Sequence, residues 1–312
     1  MKPIIKMFLF AAIAFSVLSP APASAAEKDV MQNVASYLNW NTPFSIRIAG
    51  KTLAAKGEMV NSQQLIPVRA VFEAAGLAVT WDNEQQTWHA DKNGLSVSQK
   101  LGGNTVTING VQYRLDSAAV LGSDGVLSSA RMIPLALGLE LRWDSANREL
   151  SASQLPAQSH DGFRVSSAAF SPEGDIPTVY AHGGVSGGKN VSLPVQWQGA
   201  PQGTKSFAVI IYDIHPIADN FIHWSVLNIP ATATGLPEGA AGHLQAGTEL
   251  NAYYGMEPPR YSGDHLYRIA VFALDTETLQ LPAKAPTFFE QLEPLLKKHA
   301  LGYAQTEGFF RQ

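Results

Sequence analysis

Residues 206–216 read SFAVIIYDIHP. After its first residue the run is apolar, β-branched or aromatic through Tyr212, and it then meets an aspartate, a histidine and a proline. A run this short and this rich in Val, Ile and aromatics is a buried strand, and its polar residues stand where the strand ends. Two further runs, Trp224 to Ile229 (WSVLNI) and Tyr267 to Leu274 (YRIAVFAL), follow the same pattern between Gly- and Pro-containing loops. The C-terminal half is therefore expected to be a mainly-β sandwich. Helical spacing returns only near the end. Thr287 and Glu290 have the spacing of a capping box, and Phe289, Leu292, Leu296 and His299 follow on one helical face. Pro294 is expected to kink or restart that helix, and Gly302 to end it.

The polar residues of this half gather at strand ends. Asp213 and His215 follow the first run, His223 stands just before the second, and His265 and Tyr267 open the third. Tyr254-Gly255 and Pro258-Pro259 occupy the loop ahead of it. Such a set, flanked by rigid prolines, is how a scaffold builds a small-ligand pocket. Two chemistries stand open on it. His223, His265 and Tyr267 would donate hydrogen bonds to an anionic oxygen, with Asp213 orienting a histidine or receiving an ammonium group. Alternatively Asp213, His215, His223 and His265 would form a carboxylate–imidazole set for zinc or iron and support hydrolysis or oxygen chemistry. A third pattern fails: Gly184-Val185-Ser186-Gly187-Gly188 satisfies G-x-S-x-G, but no helix pattern follows it, so it reads as a loop and not as a serine hydrolase elbow.

These residues carry a resemblance. NVSLPVQW (190–197), APQGTKSFAVIIYD (200–213), HW (223–224), YYGMEPP (253–259) and HLY (265–267) stand in the order and spacing of the phosphatidylethanolamine-binding protein family. They are most like its bacterial Raf-kinase-inhibitor-like branch, from about Phe163 to the C-terminus. The resemblance implies a Greek-key β-sandwich with a C-terminal helix and a non-enzymatic pocket. That pocket would take phosphate, a phosphoethanolamine-type headgroup or a carboxylate, with no cofactor and no metal. It places the aspartate of the D-P-D-x-P motif on Asp213 and the first pocket histidine on His223. The H-R-Y phrase falls on His265 and Tyr267, with Leu266 in place of the arginine, and the G-x-P-P loop falls on Pro258 and Pro259. The departure is Asp213-Ile214-His215-Pro216, which exchanges one pocket-side carboxylate for an imidazole. Turned inward, His215 would strengthen anion binding below about pH 6.5; turned outward, it would be silent. The expected ligand contacts are thus Asp213, His215, Pro216, His223, Pro258, Pro259, His265 and Tyr267. The resemblance also leaves open a protein-interaction role of the protease- or kinase-inhibitor kind.

N-terminal to this half, SASQLPAQSHDG (151–162) is small, polar and aperiodic and carries a linker, placed at 153–162 between domains at 44–152 and 163–312. The first domain contains a repeat. LIPVRAVFEAAGLAVTWD (65–82) and LSSARMIPLALGLELRWD (127–144) superpose at an offset of 62, matching Arg69 with Arg131, Gly76 with Gly138, Trp81 with Trp143 and Asp82 with Asp144. Ala70, Val71, Ala74 and Ala75 have helical spacing, Gly76 is placed to cap that helix, and Leu77, Val79 and Trp81 alternate as a strand. Trp81 and Trp143 are expected in the core and His89 on an exposed strand face. Thr105 to Ile108 before Asn109-Gly110 predicts a hairpin. These phrases resemble the copper amine oxidase N-terminal-like domain, which implies an α+β stalk or interaction module. His89 is the one histidine between 26 and 159, so no histidine copper site forms within this domain.

The chain opens as a secretory signal: Lys2 and Lys6, an apolar stretch of about a dozen residues, then Ala23-Ser24-Ala25 at the expected cleavage site. That stretch is too short to span a bilayer, which takes ~20 apolar residues. Loss of residues 1–25 removes Lys2 and Lys6 and takes the formal charge from −4 to −6. The sequence thus points to a secreted or otherwise extracytoplasmic protein with a protein or cell-envelope partner for its first domain. With 22 Lys and Arg against 26 Asp and Glu, the chain lacks the basic surface that nucleic-acid backbones require. With no cysteine it has no disulfide, thiolate metal site, lipobox or Cys nucleophile.

Overall fold

A computed structural model describes residues 42–92, 94–154 and 162–312 of the 312-residue chain. The signal segment at 1–25 and most of the expected linker lie outside the described residues. The first domain contains β1 (Thr42–Ile48), β2 (Lys51–Thr52), β3 (Gly57–Val60), β4 (Gln63–Pro67), α1 (Val68–Ala74), β5 (Ala78–Asp82) and β6 (Thr87–Lys92). There follow β7 (Leu95–Lys100), β8 (Thr105–Ile108), β9 (Val111–Arg114), β10 (Val120–Gly122), β11 (Gly125–Ser129), α2 (Met132–Leu137), β12 (Leu139–Asp144) and β13 (Glu149–Gln154). One sheet runs β10-β11-β4-β3-β1-β13-β12 with β2 on the edge of β1, and β5 to β9 form a second, sequential antiparallel sheet.

The two segments compared in the sequence meet in the first sheet. β4 and β11 pair antiparallel with Ile66 opposite Ser128, which are counterparts at the offset of 62. Helices α1 and α2 each leave one of these strands, and Gly76 and Gly138 take left-handed conformations at φ 83° and 64° directly after them. Asn109 and Gly110, both at positive φ, turn β8 into β9, as a type I′ hairpin requires.

Several expectations are corrected here. The buried face of α1 is Val68, Val71 and Phe72, while Ala74 is exposed, because the helix begins at Val68 and packs on Trp88 of β6. Trp81 is 38% exposed rather than core; Trp88, on the strand that pairs with it, takes the interior place. Trp143 is half-buried, edge-on to Phe44, and His89 is half-buried between the buried Trp88 and Ala90. β13 extends to Gln154, so the start of the expected linker is sheet.

The second domain holds β14 (Arg164–Ser166), β15 (Val195–Gln198), β16 (Ser206–Asp213), β17 (Phe221–Pro230), β18 (Gly235–Leu236), β19 (Thr248–Asn251), β20 (His265–Leu274), α3 (Phe289–His299) and β21 (Ala300–Phe310). A five-stranded antiparallel sheet, β19-β17-β16-β20-β21, faces a three-stranded one, β14-β15-β18. Every residue of β16 is buried, because both of its faces are covered. Phe207, Val209 and Ile211 join Val165, Val195 and Trp197 between the sheets, while Ala208, Ile210 and Tyr212 pack under α3. A strand enclosed on both sides has no polar alternation, which is why the run is continuous in sequence.

The end of the chain departs from expectation. Gln291, not Glu290, closes the N-terminus of α3, its side-chain oxygen accepting from the backbone N–H of Thr287 and of Phe288; Glu290 accepts from Asn220. Pro294 sits inside α3, which continues to His299. Gly302 does not end the helix: from Ala300 the chain is strand β21, paired along β20. The glycine-rich segment at 184–188 forms turns, with no strand–helix elbow.

Candidate functional site

Three neighbouring strands end together. In the sheet register Asp213 of β16 stands opposite Tyr267 of β20 and Phe221 of β17. Side chains two residues apart share a face, so His265 joins Tyr267, and His223 joins Phe221, on the face turned to the smaller sheet. Asp213, His215, His223, His265 and Tyr267 are all buried. His223 lies within β17, which begins three residues before the apolar run at Trp224.

A hydrogen-bond chain orders the group. His265 Nδ1 donates to Asp213 Oδ2 at 2.6 Å, and Asp213 Oδ1 accepts the His215 backbone N–H at 2.9 Å. Ser262 Oγ gives its one proton to the Pro259 carbonyl at 2.5 Å and lies 2.8 Å from His265 Nε2. Both ring nitrogens of His265 are thus engaged, Nδ1 by the Asp213 carboxylate and Nε2 by Ser262 Oγ. Ser262, His265 and Asp213 have the order of a hydrolytic triad, but Ser262 is fully buried and its proton is committed to a carbonyl.

His223 Nδ1 donates to the Tyr254 carbonyl at 2.6 Å, and burial holds its pKa below the ordinary histidine value. Its ring stands edge-on to Tyr267, centroids 5.1 Å apart. The Tyr267 hydroxyl is buried without a hydrogen-bond partner of ordinary geometry. Burial first, then the nearby Asp213 carboxylate, push its pKa well up, so it stays a donor. A buried donor lacking an acceptor costs on the order of 1–3 kcal/mol.

His215 faces the seam with the first domain. Its ring stacks on His265 at 3.7 Å between centroids, and its Nε2 lies 3.0 Å from Gln63 Nε2 at the start of β4. Burial, and then the charge of His265, drive its pKa well below the usual value. Pro258 and Pro259 shape the approach: the Pro258 carbonyl accepts from Gln312, and that of Pro259 from Ser262. The rim contains residues the sequence did not single out as contacts. Phe221 is edge-on to His223, and His182 stacks on Tyr254 at 4.3 Å. Glu257 accepts from the Tyr254 hydroxyl and lies 2.9 Å from His182 Nδ1. Burial and Glu257 push the Tyr254 pKa up to about 12.

The four candidate metal ligands lie near one another, but among the described residues no three His, Asp or Glu side chains form a group able to hold an ion. The ring nitrogens of His265 are already engaged with Asp213 and Ser262. A separate cavity of about 600 Å³ lies between the domains; of the eight expected contacts, His215 and Pro216 line it.

The model of the phosphatidylethanolamine-binding protein family matches residues 166–311, and that of the copper amine oxidase N-terminal domain matches 47–152. A UPF0098 protein of Methanothermobacter thermautotrophicus is 35% identical over 153 residues, covering 46% of this chain and 95% of the relative. One from Aquifex aeolicus is 36% identical, covering 47% of this chain and 88% of its own length. LppC of Mycobacterium tuberculosis, named as a candidate lipoprotein, is 27% identical, covering 50% and 75%. Among solved structures, Escherichia coli YbcL, described as a member of the mammalian PEBP family, is 29% identical over 48% of this chain and 99% of its own, with a TM-score of 0.43. The chain belongs to the phosphatidylethanolamine-binding protein family through its C-terminal half, joined to a copper amine oxidase N-terminal domain.

Proposed function

We propose that this chain is a secreted, non-enzymatic binding protein whose C-terminal domain takes a small anion, a phosphate, phospho-headgroup or carboxylate, while its N-terminal domain serves as stalk or interaction module. The observation that carries the reading is the buried Tyr267 hydroxyl, which has no hydrogen-bond partner of ordinary geometry, beside His223 and the Asp213–His265 pair. A bare Asp213 would repel an anion. Paired with His265, it leaves the Tyr267 hydroxyl to govern the site, and His223, whose Nδ1 proton goes to the Tyr254 carbonyl, gains a donor at Nε2 on protonation. Secretion is supported by the N-terminal signal pattern and by a relative named as a candidate lipoprotein. No helix among the described residues is long and apolar enough to cross a membrane.

The test is calorimetric titration of the mature chain with phosphate and with phosphoethanolamine, in chelator, on both sides of the ordinary histidine pKa of about 6.5. Saturable binding that strengthens on the acid side and disappears in His223→Ala and His265→Ala supports the reading. Equal affinity in both variants overturns it, and binding only after zinc or iron is added restores the metal alternative. The exposed Tyr254 and Tyr261 flank the same loop and favour a protein-contact role of the inhibitor kind if phosphate and phosphoethanolamine both fail.

A further inference from the structure

The tip of a β-hairpin ordinarily faces water, yet the tip joining β3 to β4 does not. Asn61 and Ser62 turn the chain at φ 50° and 65°, as a two-residue type I′ turn requires. Ser62 and the next residue, Gln63, are only 2% and 4% exposed. Gln63 is buried against the second domain. Its amide nitrogen lies 3.0 Å from His215 Nε2 and 3.4 Å from the carbonyls of Ser262 and Asp264. Gly263, between those two residues, has φ 88°, and a Cβ there would sit 2.8 Å from the same nitrogen.

Arg114, the last residue of β9, reaches the same segment. Its guanidinium donates to Asp264 Oδ2 at 2.5 Å and to Asp175 Oδ1 at 2.6 Å, and it lies 4.4 Å over the buried Phe309 ring. Two carboxylates and a ring fix its orientation, which suits a planar, forked donor better than a lysine ammonium. The first domain therefore meets Asp264 at both its backbone and its side chain. Asp264 directly precedes His265 in the chain. Ser262 places its Oγ 2.8 Å from His265 Nε2, and His215 stacks on the His265 ring at 3.7 Å. Both contacts of the first domain thus lead to His265, the ring that engages Asp213 at 2.6 Å. A binding site loses affinity when the groups behind its contact residues are free to shift by about 1 Å.

We propose that the first domain completes the anion site of the second: Gln63 and Arg114 are positioning residues that hold the Ser262–Asp264 segment and the His215–His265 stack in their binding arrangement. This role rests on the anion-binding reading above and goes beyond it, because the first domain is then part of the receptor and not a stalk alone. Linkage makes the effect reciprocal: an anion in the site tightens the hold of one domain on the other by the same factor.

The test compares the full mature chain with Gln63→Met, Arg114→Ala and Arg114→Lys. Arg47→Ala is the control, since Arg47 pairs with Glu149 at an exposed place within the first domain. Calorimetric titration with phosphate and phosphoethanolamine is combined with nitrogen NMR of the imidazole rings. Gln63→Met and Arg114→Ala should each weaken binding on the order of tenfold, within the usual range of coupling between sites, and should shift the His265 ring signals. Arg114→Lys, which keeps the charge, should recover part of the affinity, and Arg47→Ala should change neither readout. If Gln63→Met does not fold, the two Arg114 variants carry the test. A wild-type chain that binds neither probe overturns the anion reading and this role with it. Wild-type affinity retained in both Gln63→Met and Arg114→Ala overturns the role alone. So do unmoved His265 ring signals, or an equal loss in Arg47→Ala, which would mean that the first domain acts only through overall stability.

Discussion

Gln63 of the first domain lies 3.0 Å from the His215 ring of the second, although 152 residues separate them in sequence. The same amide nitrogen stands 3.4 Å from the carbonyls of Ser262 and Asp264, beside the His215–His265 stack. The histidine that departs from the family motif is therefore enclosed by the other domain, and its protonation is tied to the integrity of that contact.

A stability profile follows. His215 and His223 both have folded-state pKa values below the unfolded value of about 6.5. Their burial as neutral rings is fully compatible with folding above that pH. As the pH falls below it the unfolded chain takes up protons first, so stability drops by up to ~1.4 kcal/mol per pH unit for each ring. Asp116, Glu173 and Glu290, with raised values, act in the opposite sense nearer the carboxylate range. Thermal melts on the acid side of neutrality should show the loss, and His215→Asn should flatten it. An unchanged slope in that variant would refute the assignment.

Tyr267→Phe removes a buried hydroxyl that stands near the Asp213 carboxylate without a hydrogen bond of ordinary geometry. The unliganded variant should be equally stable or gain up to ~1 kcal/mol. Its affinity for phosphate should fall several-fold, read by calorimetry. A stability loss without an affinity change would mean that the hydroxyl serves the fold alone.

Glu307 receives Arg268 at 2.7 Å and Arg131 at 3.1 Å, with Arg131 almost fully buried. Both arginines hold its pKa below the ordinary carboxylate value against the opposing effect of burial. Glu307→Gln should destabilise the chain by ~3–5 kcal/mol, because it strands buried positive charge. Urea titration measures this, and a loss below 1 kcal/mol, about the worth of an exposed pair, would contradict the burial seen here.

Gly255 lies against backbone: an added Cβ would sit 2.4 Å from the His182 nitrogen and 2.5 Å from the Tyr180 oxygen. These atoms cannot swing aside as a side-chain tip can. Gly255→Ala should cost roughly 1–3 kcal/mol and, by moving the Tyr254 carbonyl that orients His223, weaken phosphate binding as well. A variant with wild-type melting and binding would show that the loop yields freely.

Local sequence specifies the strands that are buried on both faces and the turns that need special backbone. SFAVIIYD, YRIAVFAL, Asn109-Gly110, Gly76 and Gly138 are legible because each is a local rule, apolar continuity or positive φ, that neighbours in sequence already satisfy. The gathering of Asp213, His223, His265 and Tyr267 was legible through motif order, and strand register brings them together. Gly302 has the local signature of a helix stop, yet the chain is already strand there, because β20 offers β21 an edge to pair with. Trp81 and Trp88 are register partners and share a face of the sheet, so alternation does not tell which of the two the rest of the domain covers. Ser262 stood three residues before His265, a spacing open to reading, whereas the place of Gln63 against His215 had no local signal. The direction of His215 and the cavity beside it come from long-range packing. Both depend on which surfaces the two domains bury against each other, a long-range balance of burial and charge pairing that no window of neighbouring residues encodes.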